Sequence, residues 1–414
     1  MPLLTVTFLL ALVAGTATRL WLAQRQIAAV LRHRSQVPEP FAGSISAAEH
    51  AKAADYAVAR TRLGRIDTVL DALVLLGLTL GGGISVLDRL AGQLPLAAPW
   101  HGVVVIAAVL MVMGLIGLPL SLWSTFRLEA RFGFNRTTLA LFIVDRLKGL
   151  LLAALIGTPV LLAALELMHR AGRLWWLYVW ALWLSVSLLL TWAYPAFIAP
   201  LFNRFSPLSD VALRTRIEVL LGRCGFASRG VFVIDGSRRS AHGNAYFTGV
   251  GRNKRIVFFD TLISTLAPEE IEAVLAHELG HFKLHHIRRR LIVSALLGLA
   301  GLALLGWLAS RPWFYQDLGL LGPSDYGALL LFMLVSPVFM FFVTPLAAHW
   351  SRRDEFAADA FAARHTPAAA LMAALVKLYR DNATTLTPDP VHSQFYDSHP
   401  PALLRIQRLR TLIT

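Results

Sequence analysis

Between residues 277 and 286 the chain reads HELGHFKLHH, four histidines and a glutamate in ten positions. On a helix His277 and His281 share one face, about 6 Å apart along the axis, so two imidazoles can converge on one ion. His285 extends that face by another turn, but its backbone then stands about 12 Å from that of His277, too far when zinc–nitrogen bonds are only about 2 Å. On the same helix His286 points off the face. H-E-x-x-H is a zinc-protease signature because a glutamate beside the first ligand can polarise a zinc-bound water and shuttle its proton. Glu278 holds that position. Two ligands are thus in hand and a third must come from elsewhere.

The metzincin extension is absent, because Leu284 stands where that pattern has glycine. A downstream carboxylate is the remaining common solution. SRRDEFAADAFAARH, residues 351–365, reads as a helix with Glu355 and Asp359 four apart on one face. One could bind zinc while the other accepts a hydrogen bond from a ligand histidine. The bland alternative is an exposed face ion-paired to Arg352 and Arg353, and spacing alone leaves Asp354, Glu355 and Asp359 all open. Cys224 is the only cysteine, which excludes an intrachain disulfide and a cysteine-rich metal site.

These elements sit in an oily chain. Of 414 residues 56% are hydrophobic and 15% charged, a membrane-protein composition. Seven predominantly apolar stretches are long enough to cross a bilayer as helices: roughly 3–23, 67–87, 102–123, 149–168, 175–199, 291–309 and 326–348. The first lacks a basic leading region and is expected to be a retained anchor. A net charge of +14 would suggest nucleic acid in a soluble protein, but membrane topology accounts for it. If the chain starts outside, segments 24–66, 124–148, 200–290 and 349–414 lie inside and carry 34 of the 39 Lys and Arg. Both large polar segments and the C-terminus are therefore expected in the cytoplasm, with no nucleic-acid partner. Trp175, Trp176 and Tyr178 open the fifth span at headgroup level, and Asp71 and Glu166 fall within spans, where charge is expensive.

The expected organisation is five spans with their loops over 1–199, a catalytic segment over 200–290, two spans over 291–349 and a second catalytic segment over 350–414. Within 200–290, VFVID (231–235), AYFTGV (245–250) and RIVFFD (255–260) predict a small sheet, with GRNK (251–254) as a hairpin turn. APEEIEAVLAHELGHFKLHH then reads as a helix opened by Pro268, Glu269 and Glu270 and buried through Ile271, Val274, Leu275 and Leu279.

HELGHFKLHH, EFAADAFA, FGFNRTT (132–138), PLFNRFSPL (200–208), HGNAYFTG (242–249), NKRIVFFDTLI (253–263) and YDSHPPALLRI (396–406) occur in the order of motifs of the type I CAAX prenyl protease family, which this chain resembles from about residue 120 to 414. Before that the match is mainly in hydropathy. The family consists of integral-membrane zinc endopeptidases. The resemblance implies a mainly α, polytopic fold with seven transmembrane helices ringing a water-filled chamber, plus a small sheet and a zinc-binding helical part on the cytoplasmic side. It implies one zinc ion held by His277, His281 and Glu355, with Glu278 as general base and Asp359 as the partner of a ligand histidine. Asn244 would hold the substrate backbone beside an edge strand. His399 would donate to the developing oxyanion, and Arg405 would assist at the same site. Where the family has HSNAYF this chain has HGNAYF, and His285 stands where Asn is frequent.

The expected substrate is a peptide or protein, prenylated or merely membrane-associated, and the expected active unit is a monomer. Five lysines against 34 arginines suggest a GC-rich bacterial coding sequence and hence a bacterial inner membrane. Two other functions compete. A heat-shock-type quality-control membrane metalloprotease typically has four spans, against seven here. A non-catalytic zinc scaffold or transporter would normally close its metal with four protein ligands, and the motif supplies a base beside an open set instead.

Overall fold

The apolar stretches fold as long helices. In this computed structural model, which describes residues 2–226, 230–248 and 255–412, six are long and apolar enough to cross a membrane: Leu3–Arg32, Ala98–Phe132, Leu139–Arg170, Gly172–Phe202, His286–Leu308 and Asp325–His365. The helices Ala47–Leu78 and Gly83–Ala91 make a seventh span if taken together, bent by 54°. The continuous helix expected over 67–87 is broken there. Three successive glycines, 81–83, cause it: Gly82 adopts φ +75°, which only glycine reaches without strain.

Around the molecule each span touches the next, and the last returns to the first, so the seven form a closed ring. Only 6–28% of the apolar stretch of each of the six long spans is buried, so most of that surface faces either lipid or the space inside the ring. Buried apolar residues of the spans gather where Phe8, Ile84, Ile106, Leu165, Leu305 and Leu330 meet. That is the end remote from the zinc-motif helix, because Leu305 lies 19 residues up the helix that begins at His286. Of the two charges flagged within spans, Glu166 pairs with Arg170, and Asp71 is exposed.

A second core gathers at the other end, under a four-stranded sheet of β1 (Phe205–Pro207), β2 (Val231–Ile234), β3 (Ala245–Thr248) and β4 (Arg255–Phe259). The order is β1-β2-β4-β3, with β2 and β4 parallel and both outer pairs antiparallel. β1 is an addition to the three expected strands; a three-residue run ending in Pro207 carries no alternation to betray it. Residues 249 and 250 of the expected second run and the GRNK turn lie outside the described residues.

Two features bring the spans to the site. The seventh span continues through a 3-10 turn at Phe341–Val343 into Thr344–His365, so the carboxylate-bearing helix is the span's own extension. Pro345, which has no N–H to donate, sits at the start of that continuation. The helix His286–Leu308 likewise carries the sixth span. The boundaries drawn at 290/291 and 349/350 therefore fall inside helices.

Candidate metal centre

The motif helix runs Pro268–Lys283. Pro268 opens it, and Glu270 accepts a hydrogen bond from the Ala267 N–H at 2.7 Å, satisfying a donor that the first turn leaves free. Ile271, Val274, Leu275 and Leu279 are all buried against helix Val211–Arg223 and the sheet, which turns His277 and His281 toward the carboxylate helix. Gly280 permits the closest approach. A Cβ there would stand 3.0 Å from the Ala358 Cα and 3.1 Å from the Phe361 Cβ. Gly280→Ala is expected to spread the two helices by a few tenths of an ångström and to weaken zinc binding about tenfold, checked by chelator competition. Unchanged affinity would show that the crossing does not set the ligand geometry.

At that crossing three donors converge. His277 Nε2 lies 3.2 Å from His281 Nε2 and 3.4 Å from Glu355 Oε2, and His281 Nε2 lies 3.2 Å from Glu355 Oε1. Three electron-pair donors so close repel unless a metal ion or a proton lies between them. Ligands about 2.0–2.1 Å from one tetrahedral zinc stand about 3.3 Å from each other, which is the spacing found. Glu355 Oε2 is moreover buried without a hydrogen-bond donor. The residues fit zinc. The two open alternatives face elsewhere: Asp354 pairs with Arg289, and Asp359 lies behind His277.

The outer nitrogens are held too. His277 Nδ1 is 2.8 Å from Asp359 Oδ1, and Arg405 donates to both oxygens of Asp359 at 2.7 Å. Arg405 is buried, so the structure places it behind the ligands, with one edge on the cavity. Burial alone would raise the Glu355 and Asp359 carboxyls, but the imidazoles, and for Asp359 also Arg405, outweigh it and hold both below the usual carboxylate range. Burial pushes the Glu278 carboxyl up, only partly offset by the two imidazoles.

Glu278 faces a cavity of about 540 Å³. Asn244, at the start of the terminal strand β3, lines it, and Leu371, Leu375 and Tyr379 form an apolar wall. His399 also lines it, two-thirds exposed, with Nε2 3.5 Å from Glu355 Oε1 and the Ser398 hydroxyl 3.0 Å from its Nδ1. His277, Glu278, His281, Glu355, Asp359, Asn244, His399 and Arg405 thus all lie at this centre or its cavity.

Several further residues shape the site without having been given a role in the sequence. Gln26, from the first span, lines the cavity and accepts from the Asp389 N–H at 2.7 Å, while Arg25 clamps both Asp389 oxygens; Asp389 caps the helix leading to His399. Asn382 Oδ1 accepts from the Gly243 N–H at 3.1 Å and lies 3.2 Å from His242 Nδ1. His242 also stacks on Phe134, tying the turn before Asn244 to the FGFNRTT segment. His286 does not point away. The motif helix stops at Lys283, His285 turns to φ +60°, and His286 packs against His281.

Two family models divide the chain: residues 26–204 match the CAAX prenyl protease N-terminal model, with five membrane helices, and residues 207–413 match peptidase family M48. The chain belongs to the M48 CAAX prenyl protease family. Within that family it is 38% identical to the CAAX prenyl protease 1 homolog of Oryza sativa, over 75% of this chain and 73% of that one. The human homolog is 35% identical over 80% and 79% of the two chains. The crystal structure of S. mikatae Ste24p superposes with a TM-score of 0.92 at 30% identity and 99% coverage of both chains. As a member of this family the protein is a multi-pass membrane zinc metalloendopeptidase.

Proposed function

We propose that this protein cleaves peptide bonds of membrane-associated and prenylated CAAX-type substrates at a zinc centre held by His277, His281 and Glu355. The convergence of those three donors beside Glu278, on a cavity bordered by an edge strand, is the observation that carries this reading. Zinc bound there supplies Lewis-acid polarisation of the scissile carbonyl and acidifies a water, to a pKa of about 7.

The chain's own groups do the rest. An extended peptide pairs along β3, where Asn244 holds its backbone and the apolar wall receives a side chain. Glu278 takes a proton from the attacking water and returns it to the leaving amine. His399 Nε2 donates to the carbonyl oxygen as it gains charge, a contribution worth about 2.7–4 kcal/mol for a well-placed donor. Asp359, fixed by Arg405, keeps the His277 proton on Nδ1 and its lone pair on Nε2. The clustering of Lys and Arg in the segments between alternate spans supports a cytoplasmic site, and the Arg-rich composition supports a bacterial inner membrane. The ring closes within one chain, which supports a monomer as the active unit.

The deciding assay compares a farnesylated reporter peptide with its unmodified counterpart, using purified protein with and without a chelator. Chelator-sensitive cleavage favouring the farnesylated peptide is expected. Equal rates on both would make the enzyme a general membrane peptidase, and chelator-resistant cleavage would remove the zinc mechanism.

A further inference from the structure

We propose that His286 is a positioning residue for His281, fixing the tautomer and ring orientation of that ligand by accepting a hydrogen bond at Nδ1 while its far nitrogen faces the Asp354 carboxylate. The proposal rests on the reading of His277, His281 and Glu355 as zinc ligands. It starts from an asymmetry. His277 has Asp359 behind it, whereas among the described residues no carboxylate stands behind His281. Its Nδ1 lies 3.0 Å from His286 Nδ1 instead, with the two rings edge to face at 70°.

The proton bookkeeping admits one arrangement. As a zinc ligand His281 would present its Nε2 lone pair to the point shared with Glu355 and His277, which leaves its proton on Nδ1. That N–H donates to His286 Nδ1, which must therefore be the unprotonated nitrogen. The His286 proton is then on Nε2, which faces Asp354 Oδ1 at 3.6 Å. His286 and Asp354 are both buried, and Asp354 is anchored by Arg289 and, at 3.6 Å, by Arg290. A buried imidazole and carboxylate so far from water persist only with such partners.

Backbone geometry shows how the contact is made. Had the motif helix continued, His286 would have lain off the ligand face. The left-handed His285 interrupts it, and histidine is among the few residue types that tolerate that region. His286 then starts the sixth span's helix with its ring folded back on His281. One histidine thus joins a ligand to a span, while Asp354 comes from the seventh span's extension.

The test measures zinc dissociation constants of the full chain in detergent by chelator competition. His286→Ala is expected to weaken zinc binding by about 10- to 100-fold, the usual range for loss of a ligand's outer partner. His286→Asn, whose Oδ1 falls where Nδ1 stood and can accept from His281, is expected to recover affinity to within about threefold of the wild type. His286→Gln keeps polarity and bulk but misplaces the acceptor, and should behave like alanine. If alanine does not fold, the Asn and Gln pair decides: equal affinities overturn the proposal, as does an alanine variant that binds zinc like the wild type. A wild-type chain that binds no zinc would instead sink the ligand assignment itself.

Discussion

Glu278→Gln is expected to lower kcat by about 10²- to 10⁴-fold while leaving zinc affinity and KM close to those of the parent. Gln matches the carboxylate in size and still lines the cavity, but it cannot take a proton from water or return one to an amine. The side chain is no ligand: the donor atoms that converge belong to His277, His281 and Glu355. Loss of turnover with zinc retained is therefore the signature of a base. Steady-state kinetics with metal analysis on the same preparation would check it. Activity within tenfold of the parent would transfer the proton work to another group, and loss of zinc in the variant would mean that the glutamate helps build the centre.

Arg405→Ala is expected to have the largest effect on stability. Its guanidinium meets both oxygens of Asp359 in a buried site, and removing one partner of such a pair leaves a charge uncompensated, costing about 3–5 kcal/mol. The sign with pH follows. In the parent, Asp359 sits below its ordinary value, so the pair's contribution is complete above the unfolded carboxyl's pKa of about 3.9 and disappears as pH falls through the lower folded value. Without Arg405 only His277 opposes burial, and the carboxyl rises. The stability gap between parent and variant should thus be wide near neutrality and narrow toward acid, as thermal melts of zinc-free protein across pH would show. Arg405→Lys should fall between the two, because an ammonium keeps the charge but not the two-pronged geometry. A variant as stable as the parent at neutral pH would mean that water or another cation replaces the guanidinium.

Much of this site was readable in the chain because its chemistry lies on regular periods. His277 and His281 are one helical turn apart, and so are Glu355 and Asp359, so a period of 3.6 places each pair on one face whatever the tertiary context. Hydropathy located the spans because a helix that crosses a bilayer is apolar over about 20 residues. The second span's break had a visible cue in the three glycines at 81–83. The stop at Lys283 had none: neither glycine nor proline marks it, and the helix that restarts at His286 packs against the fifth span, a tertiary contact that local sequence does not encode. The partnership of His286 with His281 was hidden behind that stop. Asn382 and Gln26 were invisible for another reason. Each acts through one hydrogen bond to backbone more than 100 residues away, and single polar residues at helix ends have no periodicity to betray them.

The seventh span and the Glu355 helix are one rod, and His286 ties the opposite ligand arm to the sixth. Trimming this enzyme down to a water-soluble core is therefore not an option that its architecture offers. The two polar segments that furnish the ligands are severed in sequence by a hairpin of lipid-facing helix, and each takes its bearing from one leg of that hairpin. Hydrolytic machinery and bilayer anchor are the same pieces of polypeptide.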